Sequence, residues 1–352
     1  MKRSLTQVWE SYFEEIGLDT ELSAKYIPYI ARCADAKIPP IFEQDHLAQL
    51  LGLELPMMLS MVFGTKSFYR SFSIPKRSGG RREIVAPYPS LLEAQRWIAE
   101  NILDSVKVSV CATGFRRGKS ILDNARLHCE RDQILKIDIK DFFPSISFQR
   151  IMRVFTSIGY PNEVAYLLSK ICTLGDSLPQ GAATSPTLSN IVCRRMDVRF
   201  YKVCKRHRLR YTRYADDIAV SGKSIPSGIA RLFFEIIEDE GFEVNQQKVR
   251  FLGKADRKII TGLDITSGVP RVPRKFRREL KKDVYFVWSA GLSTHVSRRK
   301  IFNPQYIDHL MGRIEFWRQV EPECVQLATV QRRVNEIVSQ QKSYSGTSKF
   351  QL

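Results

Sequence analysis

Two adjacent carboxylates, Asp216 and Asp217, carry the strongest chemical signal in this sequence. They close the tetrapeptide Tyr-Ala-Asp-Asp, which lies between strand-like residues 209–213 and 218–221. Alternation before the acids and a strand-like run after them predict a β-hairpin with the acids at its tip. Because like charges repel strongly away from bulk water, such a pair lies either in a solvated turn or beside a cation. A divalent metal with oxygen ligands would compensate both acids.

A third carboxylate, Asp138, ends a predicted strand over residues 134–139. Period-two alternation places it on the face opposite Ile137 and Ile139. Taken alone, such a residue is more often the cap of a loop. Together with the hairpin it could hold two divalent ions, which would clamp the attacking and leaving oxygens of a phosphoryl transfer.

The loop over residues 178–186 is a further signal. Gly181 allows close approach of backbone to a ligand, and Gln180 supplies a donor and an acceptor beside it. The alternative is an ordinary loop before a helix. Ser185 followed by Pro186 predicts that helix, whose apolar positions continue with helical period to residue 203.

The surrounding elements predict an α+β protein with an all-helical C-terminal part. Residues 1–65 are predicted to be helical, and residues 66–89 to form a basic hairpin. A capping box at Ser90 and Glu93 predicts a helix that runs to about residue 103. Further helices are predicted over residues 229–240, within the basic stretch 271–300, and from Asn303 onwards. In this last helix the following side chains are predicted to point inward: Ile307, Leu310, Met311, Ile314 and Trp317.

The charge balance favours a polyanionic partner. The 352 residues include 55 Lys or Arg and 37 Asp or Glu, which gives a net charge of +18. Nucleic acid is favoured over an anionic membrane surface, and a charge that serves only solubility is the plain alternative. No uncharged run reaches membrane-spanning length, and residues 1–15 lack a secretory core. Seven scattered cysteines without a CxxC spacing predict reduced thiols in a cytoplasmic protein.

In order and spacing, the Asp138 strand, residues 178–186 and the hairpin at residues 214–217 resemble the palm motifs of reverse transcriptases. The resemblance runs from about residue 68 to residue 265, with a weaker thumb-like match afterwards. Within that family the chain is most similar to the retron type. Residues 124–128 match its NAxxH element, and residues 260–263 match its VTG element with Ile in place of Val.

The resemblance implies a right-hand polymerase fold with fingers, a palm built of an antiparallel sheet and helices, and a helical thumb. The predicted segments are an N-terminal helical extension (1–65), fingers (66–135), palm (136–268, with a fingers portion at about 150–177), basic thumb (269–340) and polar tail (341–352).

The resemblance also implies roles for individual residues. Asp138, Asp216 and Asp217 would be the catalytic carboxylates and, with Ile139, would bind two Mg²⁺ ions. Lys248 matches a lysine proposed to protonate the leaving pyrophosphate, with an ordinary surface lysine as the alternative. The nucleotide would contact Lys76, Arg82, Arg116, Phe143, Gln180 and Gly181. Nucleic acid would contact Asn124, His128, Thr261, Gly262, Arg274, Lys275, Arg277, Arg278 and Lys281.

Several of these residues have simpler interpretations. Phe143 falls at the position of the family's steric gate, where a ring would meet a ribose 2′-OH, but most phenylalanines are core residues. Lys76 and Arg82 could belong to a solvated basic turn. The aromatic side chains of the basic stretch could equally be core residues, namely Phe276, Tyr285, Phe286 and Trp288.

The implied function is an RNA-directed DNA polymerase of retron type. Such an enzyme would use dNTPs to copy part of a structured non-coding RNA, which serves as template and primer, into an RNA–DNA hybrid. The resemblance also implies a role in anti-phage defence with an accessory effector protein. No membrane partner is expected. Because no RNase H or endonuclease domain fits the sequence, template removal is expected to need another enzyme. The alternatives are another bacterial defence or group II intron-like reverse transcriptase, a catalytically silent RNA-binding protein and, more distantly, a membrane-surface protein.

Overall fold

The computed structural model describes residues 4–75 and 79–346, which group into two compact units. The first unit contains residues up to 119, 135–220 and 225–250. The second contains residues 120–134, 221–224 and those from 251 onwards. Both combine helices with strands, so the predicted α+β class is confirmed. All seven cysteines are free thiols.

Four helices open the first unit. They are α1 (Leu5–Glu15), α2 (Thr20–Ala36), α3 (Gln44–Leu50) and α4 (Leu55–Phe63). Ser4 and Gln7 form a capping box at the start of α1, and the Asp19 side chain caps α2. In the described part of the chain, no single helix is long and apolar enough to span a membrane. The pair α3 and α4 passes that test only jointly, with a bend of 102° between the two helices.

A two-stranded hairpin follows, with β1 (Tyr69–Pro75) antiparallel to β2 (Arg81–Pro87). The next helix, α5 (Pro89–Asn101), corrects one prediction. The capping box at Ser90 and Glu93 is wrong, because Tyr88 is the N-cap, its side chain makes no capping hydrogen bond, and Pro89 begins the helix. A proline in the first turn needs no N–H partner and has its φ angle preset, so it starts a helix without a side-chain cap. The short helix α6 (Ile121–Arg126) belongs to the second unit.

A four-stranded sheet is the centre of the first unit. Its strands are β3 (Gln133–Asp138), β4 (Arg210–Tyr214), β5 (Asp217–Gly222) and β6 (Arg250–Leu252), in the order β4-β5-β3-β6. The predicted strand over residues 134–139 and the predicted hairpin are therefore both present. Ile134 and Ile137 of β3, with Ile218 and Val220 of β5, are at most 1% exposed. Burial of this apolar surface is the main stabilising contribution to the sheet.

Five helices complete the first unit: α7 (Phe148–Ser157), α8 (Asn162–Cys172), α9 (Ser185–Val192), α10 (Arg194–Arg206) and α11 (Ile229–Asp239). The helix predicted to continue from Ser185 to residue 203 is in fact two helices, which meet at Cys193. Leu188 of α9 and Met196 of α10 are both fully buried, so the break lets each helix bury its own apolar face.

The second unit adds strands β7 (Ile259–Ile260) and β8 (Leu263–Asp264), and helices α12 (Arg274–Ala290), α13 (Leu292–Arg299), α14 (Tyr306–Val320) and α15 (Val325–Gly346). The basic stretch divides at Gly291, whose φ of +81° ends α12. The last predicted helix begins at Tyr306 rather than Asn303, and Met311 is 42% exposed rather than inward. Because α15 continues to Gly346, the predicted polar tail begins inside a helix.

Candidate active site

The Tyr-Ala-Asp-Asp segment forms the tight turn between β4 and β5. Ala215 occupies the left-handed region, with φ +56°, which costs a non-glycine residue about 1–3 kcal/mol. The turn is packed closely from below, because a Cβ added at Gly114 would lie 3.0 Å from the Ala215 nitrogen. Glycine at position 114 is therefore required for the hairpin to sit where it does.

Asp138 lies beside this turn. The Ile139 N–H donates to the Asp216 carbonyl at 3.1 Å, which joins the end of β3 to the hairpin. On the other side, the Asn245 N–H donates to the Asp138 carbonyl at 2.8 Å. Asp138 is 7% exposed, so its carboxylate is held in a largely dry place at the edge of the sheet.

The three carboxylates influence one another electrostatically. Burial raises the pKa of Asp216 to about 6, and repulsion from Asp138 and Asp217 adds to the shift. Burial also raises the pKa of Asp217, where Lys136 opposes the shift and Asp138 adds to it. The acids therefore lie within electrostatic reach of each other and share an excess of negative charge.

Lys248 forms an ion pair with one of these three acids. It ends the 3₁₀ turn Gln246–Lys248, and its Nζ lies 2.9 and 3.0 Å from the two carboxylate oxygens of Asp138. The Asn245 amide also donates to Asp138, at 3.2 Å. The Lys248 side chain is 56% exposed, so it can leave Asp138 without unfolding any element.

Phe143 belongs to an aromatic group that reaches the hairpin. Its ring centroid lies 6.1 Å from that of Phe115, which in turn lies 6.1 Å from that of Tyr214. Phe143 is half-buried against the core, and Phe115 is 42% exposed. Phe143 is therefore connected to Tyr214 of the acidic turn through Phe115.

The loop over residues 178–186 packs on the β1–β2 hairpin. The Val85 N–H donates to the Gln180 carbonyl at 3.0 Å. Gly181 has φ +138°, and a Cβ there would lie 2.6 Å from the Val85 carbonyl oxygen, so no other residue fits. The buried Gln95 amide oxygen accepts from Ala183 N–H at 3.2 Å. No sequence pattern indicated a role for Gln95, because a glutamine inside a predicted helix is normally a surface residue.

A buried ion pair underneath the hairpin also escaped the sequence analysis. Arg213 of β4 and Asp197 of α10 are both fully buried and form two hydrogen bonds, each of 2.8 Å. The Tyr211 hydroxyl donates to the same carboxylate at 2.6 Å. Alternation of basic and apolar residues before the hairpin predicted a strand and did not show that Arg213 is buried. The signal for its burial was Asp197, which lies at the buried helical register of Met196 and Phe200.

This ion pair holds the turn from inside the protein. Arg213 Nη1 donates to the Ala215 carbonyl at 3.3 Å and to the Asn190 side-chain oxygen at 3.1 Å. The Asn190 amide in turn donates to the Gly114 carbonyl at 2.9 Å. Hydrogen bonds of a buried charged group are stronger than neutral ones, so this network opposes the strain at Ala215.

Comparison with known families decides the identity of this arrangement. Residues 74–278 match the profile of the family described as reverse transcriptase (RNA-dependent DNA polymerase). The Retron Ec86 reverse transcriptase of Escherichia coli is 30% identical over 303 residues, which cover 85% of this chain and 91% of that protein. The chain belongs to the retron reverse transcriptases. It is an RNA-directed DNA polymerase, as the sequence predicted.

A second relative belongs to the same family. The Retron Mx162 reverse transcriptase of Myxococcus xanthus is 34% identical over 280 residues, which cover 68% of this chain and 58% of that protein. Among solved structures, a telomerase from Candida albicans in complex with a fragment of telomeric RNA aligns with a TM-score of 0.43 at 11% identity. That alignment covers 77% of this chain and 63% of the telomerase chain.

Reverse transcriptases generally use divalent metal ions, and the donor chemistry of this site fits one. Carboxylate oxygens are ligands of hard cations, and the raised pKa of Asp216 reports negative charge that a cation would relieve. Across residues 4–75 and 79–346, no three Asp, Glu, His or Cys side chains already stand in a metal-binding arrangement. At this site Lys248 donates to both carboxylate oxygens of Asp138, and it would have to release them for the carboxylate to bind a metal.

The structure describes only some of the residues that were predicted to contact the triphosphate of this reverse transcriptase. Lys76 lies outside the described residues, and only the backbone of Arg82 is described, within β2. Arg116 donates to the Ser109 and Ala112 carbonyls at 3.2 and 3.4 Å, so its guanidinium is engaged with backbone. Both hydrogen bonds come from Nη1, and the contact of Arg116 with the triphosphate stays a prediction.

The two retron motifs lie in the second unit of the enzyme. Asn124 and His128 are 2% and 0% exposed, and His128 Nδ1 forms a 2.7 Å hydrogen bond with Ser221. Neither side chain faces solvent, so their burial favours a structural role over the predicted contact with nucleic acid. Thr261 and Gly262 form the two-residue turn between β7 and β8, and both have positive φ. Such a turn suits the twist of a short hairpin.

The basic residues predicted on the thumb lie along α12. Arg274, Lys275, Arg278 and Lys281 are exposed, whereas Arg277 is 19% exposed and 3.5 Å from Glu321. A cleft of about 530 Å³ is lined by Arg274, Lys275, Arg277, Arg278, Lys281 and Gln326. This concentration of cations on one helix is suited to a phosphate backbone.

Proposed function

We propose that this reverse transcriptase builds its catalytic centre from Asp138, Asp216 and Asp217, and copies part of a structured RNA into DNA. The supporting observation is the convergence of β3 with the hairpin turn, joined by the 3.1 Å hydrogen bond from Ile139 to Asp216. Mutual repulsion among the three acids adds to the raised pKa of Asp216. Acids held together at such a cost are typical of functional sites.

The three carboxylates and the backbone of Ile139 would hold two Mg²⁺ ions. When bound, these ions would stabilise the charge that develops on the attacking and leaving oxygens. Lys248, which pairs with Asp138 in the structure, would release that carboxylate when it serves as a ligand, and its ammonium group could then reach the triphosphate. Because the Lys248 side chain is half-exposed, this movement costs no core contact.

The reaction joins a nucleic-acid hydroxyl to the α-phosphorus of a dNTP. A new O–P bond forms, the bond from the α-phosphorus to the bridging oxygen breaks, and pyrophosphate leaves. Lys248 donates a proton to the leaving pyrophosphate. Arg82, and Lys76 at the same hairpin, pair with the triphosphate, and Gln180 and Gly181 shape the pocket from the loop that packs on β2.

Phe143 would act as the steric gate of the nucleotide pocket. Its ring lies in the aromatic group that reaches Tyr214, directly beside the acidic turn. A ribose 2′-OH at this position would meet the ring, so the enzyme would select dNTPs over rNTPs.

The RNA partner would be a structured non-coding transcript that serves as template and primer. The support is membership of the retron family together with the exposed cations of α12, which would contact the backbone of the RNA–DNA hybrid as part of a thumb. Synthesis would begin from an internal 2′-OH of the RNA. A role in anti-phage defence with an accessory effector, in the cytoplasm where the seven thiols stay reduced, completes the proposal.

The catalytic assignment is tested with Asp216→Asn/Asp217→Asn, which keeps the shape of the turn and removes its charge. We expect dNTP incorporation on a primed RNA template to fall by at least about 100-fold, while RNA affinity changes little. Asp308→Asn is the matched control, because Asp308 is an exposed carboxylate of α14. Full incorporation by the double variant would contradict the assignment. Unchanged RNA binding without incorporation by the unmodified enzyme would favour a silent RNA-binding protein.

The nature of the product is tested by purifying the enzyme from its native host and sequencing the nucleic acid that accompanies it. A short DNA branched from an RNA through a 2′ linkage supports the retron product. Linear, unbranched DNA would point to another class of bacterial reverse transcriptase.

A further inference from the structure

The N-terminal segment differs from the rest of the enzyme in charge. Residues 1–65 hold five Lys or Arg and nine Asp or Glu, a net charge of −4 in a chain of +18. Residues 4–24 hold five acids and no base, and all five acids are exposed: Glu10, Glu14, Glu15, Asp19 and Glu21. None of them forms an ion pair with another described residue.

Helix α1 also exposes an apolar stripe. Leu5, Val8, Tyr12 and Ile16 are between 41% and 53% exposed and recur every three or four residues, so they share one helical face. The adjacent side of α1 packs inward through Phe13, which is 5% exposed. Four large apolar side chains in a row on a surface mark a contact site more often than chance exposure.

Beside the stripe lies a groove of about 680 Å³. Its walls are largely aromatic, with the Trp9 and Phe42 rings 5.3 Å apart and the Phe42 and His46 rings stacked at 5.4 Å. His46 Nδ1 is buried and has no hydrogen-bond partner among the described residues. We call the groove and the stripe together the acidic groove, with Val8, Trp9, Tyr12, Phe42, Glu43 and His46 as its central residues.

We propose that the acidic groove docks a basic amphipathic helix of a partner protein. Apolar side chains of such a helix would enter the aromatic groove, and its Lys or Arg residues would face Glu15, which flanks the stripe, and Glu43, which lines the groove; both are exposed. This surface is separate from the polymerase chemistry, to which none of its residues is assigned.

Charge complementarity excludes the competing occupants. RNA and anionic lipid would be repelled by five uncompensated acids, which also lower the local concentration of polyanions. A second copy bound through the same face would place acid against acid, because an isologous contact pairs each patch with itself. A protein segment with basic and apolar residues would complement both the exposed acids and the apolar stripe and groove.

The test uses a synthetic helical peptide of Leu and Lys that carries a fluorophore and a photo-cross-linker, with the full-length enzyme freed of nucleic acid at high salt. We expect saturable binding, with cross-links on α1 and on the segment from Phe42 to Gln49. Val8→Gln/Tyr12→Gln should weaken binding by at least about tenfold, which corresponds to about 1.4 kcal/mol. Glu15→Lys/Glu43→Lys should weaken it as well, with the apolar stripe intact.

The control is Phe302→Gln, which removes a 92% exposed aromatic residue of the second unit and should leave peptide binding unchanged. Incorporation of dNTPs should be normal in both groove variants, which separates this proposal from the catalytic one. Equal binding of a Leu and Glu peptide, cross-links outside the groove, or protection of α1 by single-stranded RNA would overturn the proposal. So would a dimer in light scattering that Val8→Gln/Tyr12→Gln dissolves.

Discussion

At the scale of single residues, the contact of Lys248 with Asp138 is compatible with two functions of this lysine. It neutralises Asp138 in the structure, with its Nζ 2.9 Å from one carboxylate oxygen, and we propose that it protonates pyrophosphate during the reaction. A positive charge is enough for the first function. The second needs a proton that can be given up, which lysine provides and arginine, with its much higher pKa, does not.

The two functions are separated by comparing Lys248→Gln with Lys248→Arg in single-turnover incorporation. If Lys248 donates the proton, both variants should slow the chemical step by about 100-fold, a usual size for general acid catalysis. Lys140→Gln is the control, because Lys140 forms only an exposed ion pair with Glu243. A rate close to that of the unmodified enzyme in Lys248→Arg would assign Lys248 to charge compensation alone.

Residues whose position depends on local pattern were predictable, and those that depend on packing were not. Asp138 and the 216–217 pair could be placed because a strand end and a hairpin turn are read from alternation and glycine positions. The burial of Arg213 was missed, because a basic residue in an alternating strand shows no local sign of burial and only the distant Asp197 offsets the cost of burying its charge. The partner of a buried charge is not visible in the local sequence.

At the scale of elements, α10 and β4 are coupled through the buried Asp197–Arg213 pair. The pair does more than link them, because Arg213 also donates to the carbonyl of Ala215, the strained residue of the turn. Helix α10 therefore helps to set the direction in which the hairpin presents Asp216. Arg213 and Asp197 are positioning residues in this view, since neither reaches the surface where substrate would bind.

Asp197→Leu should destabilise the protein by about 3–5 kcal/mol, because it leaves the Arg213 guanidinium buried without a counter-charge. Asp197→Leu/Arg213→Met should recover most of that stability in urea unfolding, since an apolar pair replaces the ionic one. Incorporation of dNTPs should stay low in the double variant, because the donor to Ala215 is lost.

The control for this pair is Asp239→Leu, which breaks the ion pair with Arg199 at the protein surface. That side chain is 60% exposed, so a loss of less than about 1 kcal/mol is expected. Full activity in a stable Asp197→Leu/Arg213→Met protein would show that the pair supports folding only.

Element boundaries were the least predictable part of the fold, for identifiable reasons. The helix from Ser185 divides at Cys193 although its apolar period continues, because tertiary packing of Leu188 and Met196 decides the direction of each half. The break at Gly291 was readable in principle, since glycine is a common end of helices. The start of α5 was misjudged because a capping-box pattern competed with a proline one residue earlier.

At the scale of the whole molecule, charge is divided between segments with different partners. The N-terminal residues 1–65 carry −4, while the chain as a whole carries +18. The net charge of the chain predicted a polyanionic partner. It did not reveal that residues 1–65 are acidic and would repel such a partner. The position of each charge along the chain therefore says more about binding than the total does.

This division of charge predicts which cations make RNA affinity sensitive to salt. We expect the cations of α12 to do so, and those of the N-terminal segment not to. Each phosphate contact contributes about 0.7–0.9 to the slope of log K against log salt, so Arg278→Gln/Lys281→Gln should reduce the slope by about 1.4–1.8. Lys25→Gln/Lys37→Gln removes the same charge from exposed positions of the acidic segment and should leave the slope unchanged. Equal changes in the two variants, measured by filter binding between low and moderate salt, would mean that net charge alone drives binding. Arg278 and Lys281 line the same cleft of α12, so a change confined to their variant places the RNA backbone along that helix.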